Sequence, residues 1–173
     1  MTRRLLLLAL AVVALAWFGW QWTQRRNAPP PGVAADSSAT GVRSARLYFA
    51  SASGDSLVAE PRELLEAASL HERVAGLVAE LDRGPRGAGV AALPAGTAAL
   101  HVFLDERGLL TLDLSRAFQQ GFRGGSGAEY LAVASLVRTL GANLPEVRRI
   151  LIVCGGRPIA TLGGHLPLDQ PLD

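Results

Sequence analysis

His71, His101 and His165 are the only histidines in the chain, and Cys154 is the only cysteine. Any metal or acid–base centre would have to draw on them. His71 falls in the first turn of a predicted helix, His101 on the polar face of a predicted strand, and His165 in a Gly-Gly-His-Leu turn. None has a second ligand type at a spacing that could close a tetrahedral metal site, so surface or turn histidines are expected and no metal. Ser115, His165 and Asp113 can be written as a Ser–His–Asp set. Such a set is defined by geometry, however, and no G-x-S-x-G elbow surrounds Ser115; Gly125-Ser126-Gly127 is too short for that signature. Cys154 ends an apolar run with no basic neighbour or helix start to favour its thiolate, and reads as a packed thiol.

The loop Gly121-Phe122-Arg123-Gly124-Gly125-Ser126-Gly127 precedes a helix, where unpaired N–H groups attract anions and Arg123 could assist. It follows no clear strand, and it contains neither G-x-x-x-x-G-K nor G-x-G-x-x-G. A flexible connection is expected, better suited to a partner's acidic side chain than to a nucleotide. No catalytic, cofactor-binding or metal-binding residue is assigned from the sequence, and no cofactor is expected.

Composition narrows the field further. The chain has 173 residues and a net charge of +2, from 17 basic and 15 acidic side chains, all the basic ones being arginine. Arg3, Arg4, Arg25 and Arg26 flank one apolar run, which leaves thirteen arginines against fifteen acids beyond it. That balance offers no basic field for phosphates, so nucleic acid is excluded as a partner. Without lysine there is no P-loop or Schiff-base chemistry, and with one cysteine no disulfide forms within the chain.

The apolar run is Leu5–Trp22, LLLLALAVVALAWFGWQW, which carries no charge. As a helix it would reach roughly 27 Å, close to a bilayer's hydrocarbon thickness. Trp17, Trp20 and Trp22 cluster at its end, where indoles favour the membrane interface. Residues 1–4 then form a short stub and 5–22 a retained transmembrane anchor, N-in and C-out. The rival is a cleaved signal peptide ending at Ala14-Leu15-Ala16, which would leave Trp17-Phe18-Gly19-Trp20 exposed to water. A lipid-modified cysteine is not expected, since none lies nearby. Thr23–Ser44, rich in Pro, Ala and Ser around Pro29-Pro30-Pro31, reads as a linker to a domain over 45–173.

Within that domain, Ala45–Ser51 alternates as a strand, and Leu57–Leu64 follows as a second one that Pro61 marks as an edge. Ser69 and Glu72 predict a capping box opening a helix along Leu70, Val74, Leu77, Val78 and Leu81, closed by Gly84-Pro85. Leu100–Leu104 and Leu110–Leu114 alternate around the turn Glu106-Arg107-Gly108. A second capping box, Ser126 with Glu129, predicts a helix lined by Tyr130, Val133, Val137 and Leu140 and ending at Gly141. Ile150–Cys154 reads as a strand covered on both faces, and Gly155-Gly156 turns it into a last strand, Ile159–Leu162. Asp113 or Ser115 would suit capping a short Arg116–Gln120 segment. The expected fold is α+β: a two-layer sandwich of order ββαββαββ, with helices on one face of a mixed sheet.

Ordered along 45–173 are Leu47-Tyr48-Phe49, Leu81-Asp82-Arg83-Gly84-Pro85, Leu93-Pro94-Ala95-Gly96-Thr97 and Leu110-Thr111-Leu112-Asp113-Leu114-Ser115. Leu136-Val137-Arg138-Thr139-Leu140, Pro145-Glu146-Val147-Arg148-Arg149-Ile150 and Leu162-Gly163-Gly164-His165 complete the set. By these stretches the chain resembles the GerMN domain family of sporulation and spore-germination proteins. Cys154-Gly155-Gly156 departs from it, since the family more often has a polar or acidic residue before one glycine.

The resemblance implies a non-catalytic envelope module, similar to ring-building domains of secretion and sporulation complexes. The expected partners are envelope proteins or further copies of the chain, with a small-molecule ligand not expected. The expected location is the cell membrane, single-pass, with the domain on the extracytoplasmic side. The alternative is an envelope ligand binder or a hydrolase of cell-wall material, using the loops around Gly121–Ser126 and Gly163–His165.

Overall fold

A computed structural model describes residues 41–173; the expected stub 1–4, the anchor 5–22 and linker residues 23–40 lie outside the described residues. Among the described residues no helix is long and apolar enough to cross a membrane.

Strand β1 (Val42–Ala50) pairs antiparallel with β2 (Leu57–Leu65) as a two-stranded sheet. β1 starts inside the Pro/Ala/Ser-rich stretch, because Val42, Arg43 and Ser44 already pair with Leu65, Leu64 and Glu63. Its alternation holds: Ala45, Leu47 and Phe49 are buried.

Helix α1 (Leu70–Arg83) opens with the expected capping box, Ser69 accepting from the Glu72 N–H while the Glu72 carboxylate accepts from the Ser69 N–H. Val74, Leu77, Val78 and Leu81 enter the core, and Gly84, at φ 86°, ends the helix with its N–H on the Leu81 carbonyl. Buried Arg62 of β2 ties the two layers together. Its guanidinium donates to Glu60, to Glu80 at 2.9 Å and to the Gly84 carbonyl at 3.0 Å, and it lies 5.7 Å from the centre of the Phe49 ring. A buried charge held this way is stable only as a set, since losing one partner strands the others.

The second sheet runs β3-β4-β5-β6: β3 (Ala99–Leu104), β4 (Leu109–Leu114), β5 (Arg149–Cys154) and β6 (Arg157–Pro158). β3 and β4 form a hairpin around Asp105–Gly108, whose turn is fixed by the Asp105 carboxylate accepting from the Arg107 and Leu109 N–H groups, each at 2.8 Å. β4 and β5 are parallel, so the chain crosses over between them, through the short α2 (Arg116–Gln120) and the long α3 (Ser126–Asn143). The order is therefore ββαββαββ with one short extra helix, and the four-stranded sheet is mixed, as expected. The strands divide between two sheets, however.

Several local expectations change. Ile150, Ile152 and Cys154 are buried while Leu151 and Val153 are half-exposed, so β5 alternates and the outer face of its sheet is open. The strand expected over Ile159–Leu162 is absent: pairing stops after β6, and Ile159 and Leu162 fill the core from irregular chain. Helix α3 runs through Gly141 to Asn143, with Leu144 as its C-cap, and Tyr130 is 61% exposed. Its buried stripe holds the expected Val133 and Leu140, with Val137 half-buried against the core, and widens to Leu131, Ala132 and Leu136.

The widening has a cause. Ser135, Thr139 and Asn143, four residues apart on one face of α3, close the outer edge of β1. The Tyr48 N–H donates to Thr139 Oγ1 at 3.0 Å, and Ser135 Oγ donates to the Tyr48 carbonyl at 2.5 Å. Asn143 accepts from the Arg46 N–H at 2.9 Å and donates to the Arg46 carbonyl at 2.8 Å. The helix thus supplies the partners a neighbouring strand would have supplied.

Candidate functional site

Glu129, expected to cap α3, does something else. The N-cap is Gly125, with no side-chain cap, and the Glu129 side chain is fully buried. Its Oε1 accepts from the N–H groups of Leu162 and Gly163 at 2.9 and 2.8 Å. Its Oε2 accepts from the His165 N–H at 2.9 Å and lies 3.1 Å from His165 Nδ1. Burial alone would raise its pKa, but the N–H groups of Gly163, Leu166, His165 and Leu162 outweigh it and hold the carboxyl at about 2. The S-x-x-E spacing that suggested a cap is real. The acceptor demand comes from a loop more than thirty residues away, which no local pattern could reveal.

The Ser–His–Asp set is not assembled. His165 belongs to Glu129. Asp113 Oδ2 lies 3.1 Å from His101 Nδ1 across the β3–β4 pair, and Asp113 Oδ1 accepts from the Gly156 N–H at 2.9 Å. Ser115 precedes α2 without a side-chain cap; its hydroxyl donates to the Gly96 carbonyl at 2.8 Å and accepts from the Ala98 N–H at 3.1 Å. These bonds fix the entry to β3. His71 is exposed in the first turn of α1. Cys154 is buried, and burial, with the Asp113 charge adding to it, pushes the thiol up to about 11, far from a thiolate at neutral pH.

The two loops expected to shape a ligand site do meet, but by packing. A Cβ placed on Gly163 would lie 2.7 Å from the Phe122 ring, so glycine is required for the ring to seat there. The Arg123 guanidinium turns back to the carbonyls of Gln120 and Phe122, both at 2.7 Å. Beside Phe122 lies an open, mainly apolar recess of about 350 Å³, lined by Val90, Leu93, Pro94, Arg123 and Leu131. Near Cys154 a second recess of about 350 Å³ is lined by Arg116, Gln119, Gln120 and Arg157.

Sequence reasoning did not single out the edge of β3. The Asp105 N–H donates to the Leu109 carbonyl, which sets the ladder so that His101 and Phe103 bond to β4. Val102 and Leu104 then direct their backbone groups outward, and no partner for them exists among the described residues. Phe103, on the outer face, is 67% exposed. On the other sheet, the outer edge of β2 carries Pro61 opposite Arg46. Because Arg46 bonds to Asn143, Pro61 sits at an outward-facing position, where its missing N–H matters least.

Solved structures share this fold. The first GerMN domain of the sporulation protein GerM from Bacillus subtilis is similar at 20% identity and a TM-score of 0.58, over 76% of this chain and 96% of that one. The tandem GerMN domains of the same protein align at 19% identity and a TM-score of 0.59, over 76% of this chain and 46% of that one, so this chain spans about half of the tandem. A candidate lipoprotein from Clostridium perfringens aligns at 20% identity and a TM-score of 0.54, covering 76% of this chain and 87% of that one. No curated protein matches the chain. The family model described as sporulation and spore germination matches residues 46–160, and the chain belongs to that family, Germane, the family of GerMN-type domains.

Proposed function

We propose that the protein is a membrane-held envelope component whose GerMN-type domain is a non-catalytic assembly module. Leu5–Trp22 serves as a single-pass anchor in this reading, residues 23–40 as a tether, and the domain lies on the extracytoplasmic side. Similarity to a candidate lipoprotein is consistent with that placement.

One observation carries the reading. The members of the Ser–His–Asp set, together with Glu129, are engaged in holding local structure: Glu129 and His165 secure the C-terminal loop, Asp113 holds the Gly156 N–H, and Ser115 the Gly96–Ala98 segment. Backbone edges and one open sheet face are left for contact with other proteins. The test is replacement of Ser115 and His165 by alanine in the full chain, followed by crosslinking in cells. Unchanged crosslinked products support an assembly role, whereas loss of a turnover with either change contradicts it.

The recess beside Phe122 favours a second reading, a binder of a small apolar ligand with an anionic group near Arg123. Its mark would be a ligand-dependent rise in melting temperature abolished by Leu93→Arg.

A further inference from the structure

The unpaired edge of β3 is complementary to itself. An antiparallel strand added there would bond to Val102 and Leu104, the residues whose backbone groups point outward. If that strand is β3 of a second copy and the two-fold axis passes Phe103, Val102 faces Leu104 of the other copy and Leu104 faces its Val102, giving about four backbone hydrogen bonds. Phe103 then meets Phe103 of the other copy in a non-hydrogen-bonded pair, the geometry in which cross-strand side chains are closest. His101 and Asp105 lie on the same outer face as Phe103, so each His101 falls opposite the other copy's Asp105. The irregularity between Ala99 and His101 stays outside this register.

From this geometry we propose that two copies of the chain associate through β3, extending the four-stranded sheets into one continuous sheet across a two-fold axis at Phe103. The proposal rests on the assembly reading and names its partner as the chain itself. An isologous contact needs every residue to find an acceptable mate in its own sequence. Here apolar meets apolar, a histidine meets a carboxylate, and no like charges are opposed. The contact is short, so it depends on concentration, and confinement of two copies to one membrane would strengthen it.

The test uses the full chain in mild detergent. Phe103→Cys places two thiols about 4.5 Å apart at Cα, within disulfide range, whereas the equally exposed Leu65→Cys on β2 reports random collision. Oxidation is expected to give a covalent dimer with Phe103→Cys, little with Leu65→Cys and none with the parent, whose Cys154 is buried. By sedimentation the parent should have the mass of two copies and Phe103→Arg the mass of one, with unchanged circular dichroism. Equal crosslinking at both positions, or a parent mass of one copy, overturns the proposal. If cells instead crosslink Phe103 to a different protein, self-pairing is wrong and the assembly reading survives. If no protein is captured in cells and the parent is monomeric, both fall.

Discussion

The carboxylate of Glu129, fully buried, lies 3.1 Å from the exposed ring of His165 and also accepts the backbone N–H of that residue. An acid and a histidine at this distance invite a catalytic interpretation. The remaining lone pairs of the acid are taken by Leu162 and Gly163, so the pair is the end of a clasp that fastens the C-terminal loop to α3.

The clasp predicts acid sensitivity with a defined sign. Folding depresses the Glu129 pKa from 4.5 to about 2, so its stabilisation is complete above the unfolded value and is lost as pH falls through that window. The shift corresponds to about 3 kcal/mol. Glu129→Gln should lower stability near neutrality by roughly that amount and flatten its decline between pH 4.5 and 2. Urea midpoints measured across pH would show it; parallel curves for the two proteins would contradict the clasp.

Thr139→Val keeps the shape of the side chain but removes the acceptor of the Tyr48 N–H, at a site with no exposure. Leaving that donor unpaired should cost about 1–3 kcal/mol. Thr139→Ser, which retains the hydroxyl, should recover part of the loss. Equilibrium unfolding of both variants gives the comparison.

Two glycines should respond in opposite directions to alanine. Gly108 has a φ of 81°, and a Cβ there would lie 2.9 Å from Arg148 and 3.0 Å from the Glu146 carbonyl, so Gly108→Ala should destabilise by about 1–3 kcal/mol. Gly141 lies inside α3 with open space around it, and Gly141→Ala should stabilise by about 0.5–1 kcal/mol. Melting temperatures shifted the same way by both changes would refute this account of the backbone.

Legibility in the sequence followed the range of the interaction. The Ser69–Glu72 cap, the Gly84 stop and the Leu110-Leu112-Leu114 alternation are set by neighbours within one turn or one strand, and they stand as expected. The inward stripe of α3 is wider than apolar spacing predicts because it includes Ser135 and Thr139, polar residues buried to satisfy an edge of β1 about ninety positions earlier. Spacing alone predicts a core place for Tyr130, which is exposed. The last strand failed for a related reason: Ile159 and Leu162 are apolar because the core needs them, without any ladder to join. The pairing of His101 with Asp113 depended on strand register, which residue types alone do not specify.

The central claim is that the polar side chains maintain shape while the outer edge and face of β3 make contact. Complementation in the cell that makes the protein tests this most directly, comparing the double replacement Ser115→Ala and His165→Ala with Phe103→Arg at matched levels of folded protein. The account predicts that the double variant restores function and Phe103→Arg does not. Restoration by Phe103→Arg together with failure of the double variant would contradict it.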